Sequence, residues 1–337
     1  MTSGKRGRCL GRPGRGFLGG MLTVVLVLVL ACGSSDAGPA SPTADPGQSA
    51  AATPLQIPNR SPTEMELPVR IAVTLPLFEE FAREAGMDNV EVISLIPPGA
   101  DPHTYEFTPS DIEKMKGIDF FFLNARGLDS RLQDVIEANR DEDAHVIPFA
   151  PNILSPQGGA QTAEQAGDNP HLWLDPSLAY VYVEIVADEL IIYDGIRQDT
   201  YDANFSAFKL RMLEFQDEIY AQIQAVPPER RKIVSYHNSF DHFARKFELS
   251  AAGYVDEAPG DVRAPDAIAL LAQTVREEGI PAVFAEFGYD RTVMDQVGAE
   301  AGVPVCTLYS DIPDTTLTYE EMMRANADEI VRCLGLE

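Results

Sequence analysis

Positive charge, histidine and cysteine are all scarce in this 337-residue sequence, and each shortage narrows what the chain can do. Lys and Arg number 26 against 52 Asp and Glu. Five of those cations, Lys5, Arg6, Arg8, Arg12 and Arg15, lie in the first 20 residues, which hold no acid. From residue 32 onward 21 basic residues face 52 acidic ones, a net charge of −31. A surface so negative excludes nucleic acid as a partner and favours a cationic ligand, although the same acidity also serves solubility. The apolar run Met21 to Ala31 is only 11 residues long, too short to span a bilayer as a helix.

Behind a basic start, that short run makes residues 1–31 a secretory signal peptide. Val29, Leu30 and Ala31 precede Cys32 in the order of a lipobox, which makes Cys32 the acylated first residue of the exported protein; ordinary cleavage beside an incidental Cys is the alternative. Loss of Cys9 and acylation of Cys32 leave Cys306 and Cys333 out of four cysteines. An even pair in an exported chain permits one disulfide, with two buried thiols as the alternative. Residues 32–66 are Ser, Ala, Pro, Gly, Asp and Thr with few large apolar side chains, the composition of a flexible tether.

The remaining chain, about 270 residues, suffices for two lobes of ordinary size. Strands are expected at Val69–Leu75, Val90–Ile96 and Asp119–Asn124, with helices at Leu77–Glu84, Asp111–Met115 capped by Ser110, and Ser130–Asn139. Pro151–Asn169 reads as a loop, and Leu178–Tyr193 as a helix with Pro176 in its first turn. Neither Gly nor Pro occurs from Asp199 to Ala225, where Phe205, Phe208, Leu213, Phe215 and Ile219 recur at helical intervals, so one long helix is expected. Strands then recur at Lys232–Tyr236, Ala282–Glu286 and Val303–Tyr309, with helices at Phe240–Phe247, Pro265–Glu278, Thr292–Ala301 and Tyr319–Leu334. The fold class is therefore α/β, two lobes each built on a mainly parallel sheet flanked by helices and joined by one long rigid helix. The boundaries are residues 67–198, a linking helix over 199–226, and residues 227–337.

Only five histidines occur, and three have unusual neighbours. His103 lies in Asp101-Pro102-His103-Thr104-Tyr105-Glu106, His171 in Asn169-Pro170-His171-Leu172-Trp173-Leu174-Asp175-Pro176, and His237 in His237-Asn238-Ser239-Phe240. Asp311 follows the strand ending at Tyr309. Three of the four fall just beyond carboxyl ends of expected strands, where ligands of open α/β sheets gather. Three neutral imidazoles and a carboxylate suit Zn²⁺ in tetrahedral geometry, whereas Mn²⁺ favours a second carboxylate. Glu286 ends a buried strand and reads either as a group holding a ligand imidazole by its other nitrogen or as a strand-end acid bonded to backbone; Asp101 and Glu106 share that ambiguity. His145 and His242 read as surface or strand-edge residues.

These segments, together with Phe284-Ala285-Glu286, closely resemble the zinc and manganese solute-binding lipoproteins of ABC importers, the cluster A-I receptors, from about Val69 to the C-terminus. The resemblance implies a monomeric, lipid-anchored receptor outside the cell membrane or in the periplasm, with metal buried between its lobes and an ABC permease as partner. By position, His103 and His171 resemble the family's N-lobe ligands and His237 and Asp311 its C-lobe ligands. Many zinc members carry a His-rich loop before the second ligand, but Pro151–Asp168 holds no His, which puts an accessory zinc-collecting role in doubt; ordering of Glu164 or Asp168 on binding stays open. The rival readings are a cell-surface zinc hydrolase, which needs an open coordination position and a base such as Glu286, a metal-chelate receptor, and an adhesin. The first reading requires no catalytic residue and no resident cofactor; the metal, zinc or alternatively manganese, is cargo.

Overall fold

The computed structural model describes residues 68–154, 168–256, 265–312 and 316–335. The signal peptide, the tether, Cys32, Glu164 and most of the expected loop before His171 lie outside the described residues.

The first half runs β1 (Val69–Val73), α1 (Pro76–Gly86), β2 (Val90–Ser94), α2 (Pro109–Lys114), β3 (Phe120–Leu123), α3 (Ser130–Asn139), β4 (His145–Pro148) and α4 (Phe149–Ile153). Its sheet has the order β2-β1-β3-β4, with every pairing parallel. The central strand β3 is Phe-Phe-Phe-Leu and wholly buried, the continuous apolar run expected where helices cover both faces. Then come α5 (Pro176–Tyr193) and α6 (Gln198–Ile223). The second half runs β5 (Lys232–His237), α7 (Asp241–Lys246), β6 (Ser250–Asp256), α8 (Pro265–Glu277), β7 (Val283–Glu286), α9 (Thr292–Ala301), β8 (Val305–Leu308) and α10 (Tyr319–Leu334). β5 pairs with β6 and β7 with β8, both in parallel, and β5 lies beside β7. Among the described residues no helix is long and apolar enough to cross a membrane.

At 26 residues, α6 is one continuous rod of about 39 Å at the usual rise per residue. It buries Tyr201, Phe208, Met212, Phe215, Ile219 and Ile223. Leu213, expected on that stripe, is instead 38% exposed, because Met212 takes the inward position one step earlier. A single apolar cluster runs from β1 through α1, α5 and α6 to α10. At its centre the Phe81 ring meets Tyr182 at 5.5 Å, Phe208 at 6.1 Å and Tyr319 at 5.4 Å, rings drawn from both halves. At roughly 1.5–3 kcal/mol per large buried side chain, this seam is a major contribution to the fold. Within the same cluster, Cys306 of β8 and Cys333 of α10 are joined by a disulfide with Cα atoms 6.7 Å apart.

Four local readings need correction. Thr108, not Ser110, caps α2: its Oγ1 accepts from the Asp111 N–H while the Asp111 carboxylate accepts from the Thr108 N–H at 2.9 Å, a reciprocal pair that Ser110, already inside the helix, cannot make. The segment from Pro151 is not all loop, because Phe149, Ala150 and Ile153 bury one short helical face, α4. Strands β4 and β6 were not anticipated. His242 is no surface residue; it is 1% exposed within α7.

Candidate metal centre

Each candidate side chain is placed by a turn at the carboxyl end of a strand or by the entry to a helix. After β2 the chain turns through Gly99, whose φ of 78° is one that side chains resist, and reaches Asp101. The Asp101 carboxylate accepts from the His103 N–H at 2.9 Å and from the Thr104 hydroxyl at 2.9 Å, which folds the backbone back and projects His103. His171 precedes a short 3₁₀ turn, Leu172–Leu174, and Asp175 then caps α5 by accepting from the Ser177 N–H at 2.8 Å. The Asn124 amide donates to the Pro170 carbonyl at 2.9 Å and anchors the approach to His171. His237 is the last residue of β5, and Glu286 the last of β7.

The three imidazoles converge. Nε2 of His103 lies 3.3 Å from Nε2 of His171, which lies 3.2 Å from Nε2 of His237. His171 is 3% exposed, His237 fully buried and His103 half-buried. Burial pushes the His103 imidazole down to about 4, with His237 adding to the effect. Burial likewise holds His171 well below its ordinary value, again with His237 and His103 adding to it. Three imidazoles turned toward one another, with donor atoms within 4.8 Å, are chemically able to hold a cation.

Glu286 is buried beside this cluster. Its carboxylate accepts from the His237 N–H at 2.9 Å and from the Ser239 hydroxyl at 2.9 Å. The same carboxylate stands 3.0 Å from His237 Nδ1, though at an angle outside good hydrogen-bond geometry. The net pull of these partners, His237 foremost, outweighs burial and lowers the Glu286 carboxyl.

Asp311 does not join the imidazoles in this structure. It is half-buried, its Oδ1 accepts from the Ile312 N–H at 2.8 Å, and burial raises its carboxyl to about 7. Asp311 and Asp101 line the same small cavity of about 40 Å³, together with Pro102, Tyr289 and Ser310. Tyr289 covers His237 with ring centroids 5.2 Å apart and directs its hydroxyl toward Asp101 at 3.4 Å. The loop bearing Asp311 is tied to the first half by Trp173, whose indole N–H donates to the Ser310 carbonyl at 2.8 Å. Glu106 and Asp168 are exposed, and His145 stands half-buried on the edge strand β4, beside Phe120.

Sequence reasoning missed Asn169, Asn124, Ser239, Tyr289 and His242. The His242 Nε2 lies 3.2 Å from the Asn169 carbonyl, so a residue read as peripheral supports the His171 loop from the other half. The only signal for Asn169 was its place two residues before His171, which its Oδ1 meets; its other partner, Asn238, lies 69 residues away.

Residues 71–333 match the ZnuA family, described as zinc-uptake complex component A, periplasmic. The manganese-binding lipoprotein MntA of Halalkalibacterium halodurans is 26% identical over 320 residues, which cover 94% of this chain and 97% of that protein. The iron ABC transporter substrate-binding lipoprotein MtsA of Streptococcus pyogenes is 23% identical over 277 residues, 78% of this chain and 87% of that one. The periplasmic zinc binding protein TroA from Treponema pallidum has the same fold, with a TM-score of 0.72 at 22% identity over 79% of this chain and 99% of its own. Two parallel α/β halves around a long helix, histidines gathered at the strand ends, and a family match spanning most of the sequence lead to one conclusion: the chain belongs to the ZnuA family and is a metal-binding receptor of an ABC transporter, not an enzyme.

Proposed function

We propose that this receptor captures Zn²⁺ as its cargo with His103, His171 and His237, that Asp311 supplies a fourth donor when its loop closes, and that Glu286 steadies His237 from behind. The observation that carries this reading is the spacing of the Nε2 atoms, 3.3 Å from His103 to His171 and 3.2 Å from His171 to His237. Two nitrogens bound at ~2.0–2.1 Å to one tetrahedral zinc stand ~3.3–3.4 Å apart, so the imidazoles already keep the separation of neighbouring ligands. Asp311 faces the adjoining cavity with a carboxyl raised to about 7, and an arriving cation would displace its proton.

Donor chemistry, not spacing, favours zinc. Three nitrogens and one oxygen make a borderline-soft set, whereas manganese takes a set richer in oxygen. Manganese is the second reading because the relative that aligns over 94% of the chain is named for manganese, and an iron-named relative makes the metal a matter for direct measurement. Metal would bridge residues 67–198 and 227–337 across the linking helix 199–226. The closed form is then what the permease engages, with the continuous α6 restricting closure to small tilts and loop adjustments. The receptor is extracytoplasmic; anchoring through Cys32 as a monomer is supported by the lipobox-like residues and by relatives named as lipoproteins.

Elemental analysis of the protein purified without added metal tests the whole reading, with His103→Ala, His171→Ala, His237→Ala and Asp311→Ala measured alongside. Stoichiometric zinc in the parent and depleted zinc in the variants are expected. Equal metal content in all five proteins would overturn the ligand set, and manganese in the parent after growth with both metals would replace zinc as cargo.

A further inference from the structure

We infer that Asn169 is the positioning residue for His171: it selects the imidazole tautomer that leaves Nε2 free for metal, and it straps that ring to the opposite half of the molecule. The inference rests on the ligand assignment proposed above and adds a residue that does not itself touch the metal.

The orientation of the Asn169 amide follows from its partners. Its Oδ1 lies 2.9 Å from the His171 backbone nitrogen, whose N–H can only donate, so the atom there is the oxygen. Its Nδ2 lies 2.7 Å from the Asn238 carbonyl oxygen, which can only accept. A flipped amide would set donor against donor and acceptor against acceptor, so the ambiguity usual for this side chain does not arise. The same Oδ1 stands 2.9 Å from His171 Nδ1, and an oxygen acceptor there requires the proton on Nδ1. A neutral imidazole with its proton on Nδ1 carries its lone pair on Nε2, the atom that faces His103 and His237.

The second role comes from topology. Asn169 belongs to the segment that leads into α5, whereas Asn238 directly follows His237 at the end of β5. The bond from Nδ2 to the Asn238 carbonyl therefore joins the backbone beside one imidazole to the backbone beside another, across the two halves. The Asn169 carbonyl is held in turn by His242 Nε2 at 3.2 Å. Asn169 is only 7% exposed, so water does not compete freely for these bonds. These bonds brace the backbone on both sides of the 3.2 Å separation between the His171 and His237 Nε2 atoms.

The test uses the full exported chain, Zn²⁺ as probe, a chelator chase for the release rate, and ¹⁵N NMR of the histidine rings for the tautomer. Asn169→Leu keeps the volume but removes acceptor and donor; Asn169→Ala removes both without overfilling the site and serves if the Leu variant fails to fold. Zn²⁺ release about 10–100-fold faster, with loss of the Nδ1–H signature of His171 in the metal-free protein, is expected in either. Asn169→Asp restores an acceptor and is expected to recover that signature. Parental release rate and an unchanged tautomer in a folded apolar variant would overturn the inference. His171→Ala separates the two levels: if it still holds Zn²⁺, the ligand assignment fails, whereas loss of Zn²⁺ there beside parental behaviour of the Asn169 variants sinks this inference alone.

Discussion

His171 and His237 are held differently from His103 and Asp311. Each of the first pair is buried and has a second polar group behind it: Asn169 Oδ1 at 2.9 Å from His171 Nδ1, and Glu286 Oε2 at 3.0 Å from His237 Nδ1. His103 is positioned through its backbone by Asp101, and among the described residues only imidazole nitrogen meets its ring nitrogens. The Asp311 carboxylate bonds to the backbone N–H of its own neighbour, Ile312. The contrast separates a buried pair, each backed by a second polar side chain, from a half-buried pair on loops that is tied to neighbouring backbone. With the ligand set proposed above, the buried imidazoles would meet the ion first and the two loop residues would follow.

The largest expected effect breaks the fixed pair. Zinc binding to a four-ligand protein site is worth about 10–16 kcal/mol, so removing one imidazole is expected to cost about 3 kcal/mol, a loss of about 100-fold or more in affinity. His237→Ala should also lower the melting temperature of the metal-free protein, since it strips a buried partner from Glu286, whereas His103→Ala should lose metal with little change in melting. Equal melting losses in the two would erase the distinction between them. Next, Glu286→Gln keeps the shape but not the charge facing His237, and a zinc affinity about 10–100-fold weaker by competition titration is expected. Parental affinity would make Glu286 a strand-end acid with no bearing on the ligand.

The effects of pH on the metal-free protein run in opposite directions for the two loop residues. His103 falls from 6.5 to about 4 on folding, so its contribution is complete above 6.5 and is lost as pH falls toward 4. Asp311 rises from 3.8 to about 7, so its contribution is complete below 3.8 and is lost as pH rises toward 7. Thermal melts of His103→Ala should therefore gain on the parent as pH drops from 6.5 to 4, and those of Asp311→Asn should gain as pH climbs from 4 to 7. Parallel melting curves for both variants and the parent would show that neither group leaves water on folding.

Much of the architecture was legible because it rests on local signals. Ser130–Asn139 was read to the residue, and α6 to within two, since an amphipathic stretch free of Gly and Pro admits few alternatives. The three converging histidines were legible because so few occur and each follows a Pro or ends a strand. Elements stabilised from elsewhere were not legible. β4 is four half-buried residues on a sheet edge, and β6 is Ser-Ala-Ala-Gly-Tyr-Val-Asp, poor in the side chains that mark strands. The bonds of Asn169 to His171 span only two residues, but the His242 contact and the Asn169 strap to Asn238 escaped because their ends are 73 and 69 residues apart. No window along the chain contains both ends of such a bond.

The apolar seam through α1, α5, α6 and α10 bears on how this receptor is open to rearrangement. Cut out alone, either half would expose a wall of aromatic rings and aggregate, so a recombinant half is no substitute for the whole. Hybrids assembled from two relatives would need those four helices to travel as a set, while the histidine loops at the rim could be exchanged one at a time.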